Sequence, residues 1–313
     1  MLSLFKKKAA AKGLTSVVFT GDGVAFAHVT NPVTNPELTS CEFLASSNPV
    51  KEPKRYKDFL DSKSLSGTQA IVVLPEDSYQ IILVEKPDVP ADELSEALRW
   101  RIKDMINFDV EKALIDYVEL PEDAYRGRSE MVYAVVAQKD YVERLTGWCE
   151  EVGLSPVVVD VPELALLNLT EDLADSEAGL AVFYVGKQNS FINLLSDSAL
   201  YFTRHLSYSS SASPDRAGAA VLELQRSMDY YESQIGKPPC VRLMVMPLVM
   251  DDDPLMEELR ANLPLDIHSL NLENLISADF ELPVQLQTNA TIAVAAALRT
   301  QLEKGGRGNE TTN

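Results

Sequence analysis

The side chains of this 313-residue chain that could do chemistry are few and far apart. His28, His205 and His268 fall in three separate runs that read as strands, so a shared metal or a nucleophile–histidine–acid triad would need the fold to gather them from a distance. Cys41, Cys149 and Cys240 are widely spaced, and no CxxC pair exists. Cys149 lies on an apolar helical face, where a thiol behaves as a small buried hydrophobe. Asp251-Asp252-Asp253 stands just before Pro254-Leu255. Acids there suit the positive end of a helix dipole, and the run lacks the spacing of an EF-hand loop. Gly21-Asp22-Gly23 and Gly186-Lys187-Gln188-Asn189-Ser190 hold residue types that let a backbone approach an anion closely. Each also reads as a plain hairpin turn.

The elements that would position these groups follow from the hydrophobic pattern. Residues 14–30 predict two Val- and Phe-rich strands around Gly21-Asp22-Gly23, which tolerates the positive φ that hairpin turns ask for. Residues 31–66 carry Pro32, Pro36, Pro49 and Pro53 and read as irregular, apart from a short helix near Arg55–Leu60. From 69 to 152 the order is strand, strand, helix, strand, strand, helix, a compact α+β module. In its first helix Leu94, Leu98, Ile102 and Met105 fall at helical spacing, with Ala97 and Trp100 widening the stripe. In its second, Tyr141, Leu145, Trp148, Cys149 and Val152 share a face, and Gly153 ends it. A buried-type strand at 156–160 and a helix from Glu163 to Leu169 come next, then an acidic loop at 171–177.

A three-stranded meander then turns at Gly186–Asn189 and at Asp197. A polar segment, 207–215, leads to a long helix with Val221, Leu224, Met228, Tyr231 and Ile235 on one face and Gly236 after it. Strands at 241–246 and 265–269 alternate with helices at Asp252–Leu263 and Ala290–Leu302. A meander followed by helices thus appears twice. That is the coarse signature of the actin/Hsp70/sugar-kinase architecture, although pattern alone leaves other α/β folds open.

Composition narrows the function classes. With 28 Lys plus Arg against 47 Asp plus Glu, the net charge of -19 repels phosphate backbones and argues against nucleic-acid binding. No run of about 18 apolar residues appears that could span a bilayer. The opening MLSLFKKKAAAKG places its charge after Leu2, Leu4 and Phe5, the reverse of a signal peptide. Lys6, Lys7, Lys8 and Lys12 suit a solvated tail or a weak contact with an anionic inner leaflet. The unpaired thiols fit a reducing cytoplasm.

Several stretches resemble a known family. Residues 92–120 hold a helix ending in the corner Met105-Ile106-Asn107-Phe108, then a strand with Asp116-Tyr117. Residues 131–169 run strand, helix, Gly153-Leu154, strand, Asp160 and an apolar helix. YFTRHLSY at 201–208 pairs with QRSMDYYESQIG at 225–236, and the opening MLSLFKKK fits as well. In this order, over roughly 1–305, they resemble the PilM family, the cytoplasmic actin-like proteins of type IV pilus assembly. Within it the chain is most similar to the shorter branch that serves mannose-sensitive haemagglutinin (MSHA) pili.

The resemblance implies an α/β chain with the actin-like ATPase fold and an inserted SHS2-like α+β subdomain, as in PilM and FtsA. Residues 1–75 would be the first part of subdomain 1A with its basic tail, and 76–153 the insert, subdomain 1C. Residues 154–304 would complete 1A and lobe 2, and 305–313 a disordered tail. It further implies a scaffold peripheral to the inner membrane that works with platform and motor components. Its expected partner is the cytoplasmic N-terminal tail of a PilN/MshJ-type membrane protein, bound in an apolar groove beside the insert. Leu98, Ile102, Met105 and Phe108 are the expected groove residues, and each also reads as core packing.

The same resemblance bears on catalysis. In this superfamily two hairpins, each beginning with an Asp-hydrophobic-Gly turn, hold the phosphates, and a Gly-Gly element cradles the adenosine. Here Val18 stands at the first Asp position and Thr20 at its Gly. Tyr184 stands at the second Asp position, with Gly186 kept. Met and Pro residues within 244–250 replace the glycine pair, and Ser209-Ser210 stand where relatives often have glycines. The expectation is no catalytic residue, no metal, no cofactor and no enzyme. Were Mg-ATP bound, Gly21, Asp22, Gly23, Gly186, Lys187 and Ser190 would be the residues to hold it. The alternatives are an ATPase that couples ATP to pilus assembly, and a soluble GspL-like type II secretion scaffold.

Overall fold

One strand-and-helix pattern, used twice, builds the two lobes. The computed structural model describes residues 12–125, 129–170, 173, 178–211 and 216–300. In the first lobe Leu14–Thr20 (β1), Gly23–Thr30 (β2) and Glu37–Ala45 (β3) form an antiparallel meander. Pro53–Ser62 (α1) leads to Gln69–Val73 (β4), parallel to β1. An inserted module follows: Tyr79–Glu85 (β5), Ala91–Ile102 (α2), Ala113–Glu119 (β6), Met131–Gln138 (β7) and Lys139–Glu151 (α3). Ser155–Asp160 (β8) then returns beside β4. The short helices Pro162–Ala165 (α4) and Leu167–Thr170 (α5) cross to the second lobe.

There Gly179–Val185 (β9), Ser190–Ser196 (β10) and Ala199–Leu206 (β11) repeat the meander. Ala217–Tyr230 (α6), Cys240–Met246 (β12), Pro254–Asn262 (α7) and Asp266–Ser269 (β13) repeat the alternation. Ser277–Ala278 (β14) pairs back with β3, and Val284–Ala297 (α8) ends the fold. The sheet orders are β14-β3-β2-β1-β4-β8, β11-β10-β9-β12-β13 and, in the module, β5-β7-β6.

The lobes share one apolar core. Leu14, Val18 and Ala27 of the first sheet, Leu180, Val182 and Phe191 of the second and the small residues of α8 all belong to it, with α8 laid against β1 to β4 and against α4 and α5. Ala290, Ala293, Ala295, Ala296 and Ala297 are all 0% exposed, so small side chains let α8 lie close against the first sheet. The module is also packed on both faces. Leu94, Leu98 and Ile102 of α2 cover one face of its sheet, while Ile81, Leu83 and Met131 join the core of the second lobe.

Four sequence expectations need correction. Residues 31–66 are not irregular, because β3 lies within them. Its buried members include Ser40 and Cys41, which mask the alternation. Trp100 is 66% exposed instead of widening the α2 stripe. It lies two residues from Leu98, roughly 200° around the helix. The 156–160 strand is not buried: β8 closes the sheet edge, leaving Val157 and Val159 exposed. The last helix starts at Val284, six residues before Ala290. The basic tail and the residues from 305 lie outside the described residues.

The packing of α8 yields a test. Ala293→Leu forces a larger side chain into the packed core around α8 and should cost about 1–3 kcal/mol in urea-induced unfolding. Leu222→Ala, on the exposed side of α6, should stay within about 0.5 kcal/mol.

Candidate functional site

The β1–β2 and β9–β10 turns, far apart in sequence, meet across a cleft between the lobes. Lys187 Nζ lies 2.5 Å from Asp22 Oδ2, and 4.9 Å over the Phe43 ring. The Thr20 hydroxyl donates to Asp22 Oδ1 at 2.9 Å. Burial pushes the Asp22 carboxyl up, but the Lys187 and Thr20 hydrogen bonds and the Lys187 charge outweigh it and leave it below the usual range. Asp22, one of the expected nucleotide-holding residues, is thus satisfied by a tethered cation.

The glycines serve close approach, not handedness, which corrects the hairpin expectation. Gly21, Asp22 and Gly23 all lack positive φ. A Cβ on Gly21 would stand 2.4 Å from Gln188 Nε2, and one on Gly23 would stand 2.5 Å from the Leu44 carbonyl oxygen. A Cβ on Gly186 would meet the Asn189 carbonyl oxygen at 2.2 Å. Ser190 is wholly buried, and its hydroxyl finds no partner among the described residues.

Behind the turns lies a cavity of about 520 Å³. Val18, Leu74, Tyr184 and Ile292 give it apolar walls, and Asp22, Glu76 and Asp77 give it carboxylates. Val18 and Tyr184 stand where the superfamily would place acids. Tyr184 stacks on Phe191 at 5.0 Å between centroids. Burial raises the Glu76 carboxyl above its usual value, against a hydrogen bond from Asn189. Sequence reasoning missed Glu76 and Asp77. Their signal was their place, directly after the buried strand β4 and Pro75. Met244 and Met246, in the stretch read as the altered adenosine cradle, are buried in the shared core.

Other candidate groups stay apart. His28 bonds to the Thr15 hydroxyl at 2.9 Å, His205 contacts Glu163, and His268 lies 2.9 Å from Asp266. Asp253 caps α7, accepting from the Leu255 amide at 2.8 Å, and Asp251 pairs with Arg260 at 2.7 Å. Among the described residues, no three His, Cys, Asp or Glu side chains gather as a metal-holding group. Cys41, Cys149 and Cys240 are buried, and burial pushes each thiol up to about 12, which leaves them inert as nucleophiles.

The expected groove residues separate. Leu98 and Ile102 are 0% exposed in the module core, so they cannot line an open groove. Met105 is exposed just past α2, and Phe108 is half-buried. Trp100, with Lys103 Nζ 5.6 Å over its ring, and Leu114 on the edge strand β6 are exposed apolar residues of the module that the sequence did not assign to the groove.

A meander-and-helix pattern repeated about a central cleft, with facing hairpin turns, is the actin-like ATPase fold. Within that class, residues 63–213, just under half of the chain, match the family model described as Type IV pilus assembly protein PilM. It aligns with the structure of the PilM-PilN type IV pilus biogenesis complex at a TM-score of 0.73 and 19% identity, covering 92% of this chain and 98% of that one. A Bacteroides thetaiotaomicron protein with an actin-like ATPase fold and unknown function aligns at 0.54 and 12% identity, covering 91% and 98%. The cytoplasmic domain of EpsL, an inner-membrane component of the type II secretion system of Vibrio cholerae, aligns at 0.51 and 12% identity, covering 93% and 98%. No curated protein sequence matches the chain.

The turn-to-turn ion pair is solvent-exposed, with side chains 37% and 51% accessible. Asp22→Ala should therefore change unfolding free energy by no more than about 1 kcal/mol. A loss above about 2 kcal/mol in urea titration would show that the pair, and not the shared core, holds the lobes together.

Proposed function

We propose that this chain is a scaffold at the cytoplasmic face of a type IV pilus assembly platform, of the MshI-like MSHA branch. It holds the cytoplasmic N-terminal tail of a PilN/MshJ-type membrane protein and does not turn over ATP. The observation that carries this reading is the match of residues 63–213, which include the whole inserted module, to the PilM family model. The likeness to the PilM-PilN complex supports it.

A tail-binding role needs apolar contacts and backbone or polar anchors. The module offers Trp100, Met105 and Leu114 at its surface, Phe108 half-buried beside them, and the unpaired edge of β6. A nucleotide role is disfavoured by the cleft. Val18 and Tyr184 replace the expected acids, Lys187 neutralises Asp22, and Glu76 and Asp77 would repel a polyanion. No helix among the described residues is long and apolar enough to cross a membrane. In this reading membrane contact is indirect, through the partner or the basic N-terminus. The EpsL likeness favours, as a second reading, a type II secretion scaffold of the GspL type.

Isothermal titration with a synthetic peptide of the membrane partner's cytoplasmic tail tests the proposal. Binding in the micromolar range, weakened tenfold or more by Met105→Glu with Leu114→Glu, is the expected result, and Mg-ATP should give no heat. Micromolar Mg-ATP binding abolished by Asp22→Ala would assign the ATPase reading instead. Absence of peptide binding would count against the scaffold.

A further inference from the structure

One carboxylate sits where the module and the two lobes meet. Glu163 of α4 is 0% exposed. Its Oε2 accepts from the Tyr79 hydroxyl, at the first residue of β5 in the module, at 2.6 Å. Its Oε1 contacts Nε2 of His205, on β11 of the second lobe. Its backbone carbonyl accepts from Asn193 Nδ2 of β10 at 2.8 Å, and Asn193 Oδ1 accepts from the Thr203 hydroxyl of β11 at 2.7 Å. The Tyr79 and His205 rings pack edge-on, 6.4 Å between centroids. A buried carboxylate without partners is strongly unfavourable. Here it is met by a phenol and an imidazole from two other bodies of the fold, and 44% of the His205 side chain remains open to solvent. Its proton can therefore exchange without unfolding.

We propose that Glu163, His205 and Tyr79 form a proton-operated latch that holds the inserted module and the second lobe against the first. The reading is independent of any partner. The charged and titratable groups around His205 are Glu163 of α4, Glu76 of the β4–β5 segment and Tyr79 of β5. Asp160, at the end of β8, is already paired with Arg299 at 2.7 Å. The hydrogen bond to Glu163 raises the His205 pKa, against burial and with help from the Glu163 and Glu76 charges. A histidine raised on folding stabilises the fold fully below its unfolded value near 6.5, and that stability is lost as pH climbs through the raised value. The latch is thus shut in mild acid and slackens above neutrality. Glu76, raised by burial, acts in the same direction over its own range, because ionising it disfavours the fold. His28, lowered by burial, acts in the opposite direction.

The test uses the full chain, with histidine NMR titration and amide hydrogen exchange at pH 6 and pH 8.5. His205 should titrate above 6.5, and exchange in residues 79–85 and 199–206, corrected for intrinsic rates, should quicken several-fold at the higher pH. In His205→Gln the pH difference should vanish, and in Glu76→Gln it should persist. Glu163→Gln should drop the His205 pKa to 6.5 or below. Tyr79→Phe is the milder variant if that one does not fold, and it should quicken exchange in 79–85 while keeping the pH response of 199–206. Titration of wild-type His205 at or below 6.5, or a pH response retained in His205→Gln, would overturn the latch.

Discussion

The close packing of helix α8 on the first sheet, inside the apolar core that both lobes share, is the constraint on which the rest of the molecule depends. Helix α8 is buried on nearly every side from Ala290 to Ala297, so its backbone must be shielded by close packing. Its register is set by bonds from both directions: the Ser16 hydroxyl of β1 donates to the Ala293 carbonyl at 2.6 Å, and Asn168 Nδ2 of α5 donates to the Ala295 carbonyl at 3.0 Å. Apolar burial of this kind yields about 25 cal/mol per Å² removed from water, whereas an exposed ion pair yields at most about 1 kcal/mol. The shared apolar core is therefore the larger hold between the lobes, and the exposed Asp22–Lys187 pair at the cleft mouth adds little to it.

This ordering means that side chains lining the cleft can change without changing its shape. A nucleotide clamp needs a gap between its hairpins that an anion and a metal fill. Here Lys187 reaches across from one turn to the acid of the other, and Gln188 fills the space beside Gly21. Val18 and Tyr184, which the resemblance sets at the two acid positions, line the cavity as wall. What remains is a cavity whose free charges are of the wrong sign for phosphate.

Much of the fold was legible because apolar residues recur at the right periods. The β1–β2 hairpin, α3 with Leu145, Trp148 and Cys149, and the doubled meander all announce themselves this way. Failures came where buried positions are polar or small. The first turn of α8 contains Gln287, 1% exposed, whose side chain bonds the Leu272 amide, Asn271 Oδ1 and the Leu282 carbonyl. A buried glutamine bonded to distant backbone carries no local helical signal. The cleft was half legible: the turns were found, but Glu76 and Asp77 enter it from a third segment. The Tyr79–Glu163–His205 contact was illegible, since its members are separated by 84 and 42 positions and no spacing rule links them.

The inserted module is more than an appendage on the first lobe. Asp123, in the loop before β7, accepts from the Tyr201 hydroxyl at 2.7 Å and pairs with Lys237 at 2.7 Å, and Lys237 in turn sits 4.3 Å over the Tyr201 ring. Tyr125 is 1% exposed and meets the Tyr230 hydroxyl at 3.2 Å. Lys237 is only 10% accessible, so removing Asp123 would leave a cation nearly buried without its partner, a more costly loss than the cleft-mouth pair. Movement of the module relative to the second lobe must break these contacts as well as those at Glu163. Its other side carries Trp100, Met105 and Leu114 at the surface, so the module divides into a face spent on rigidity and an opposite face whose side chains change without disturbing the lobes.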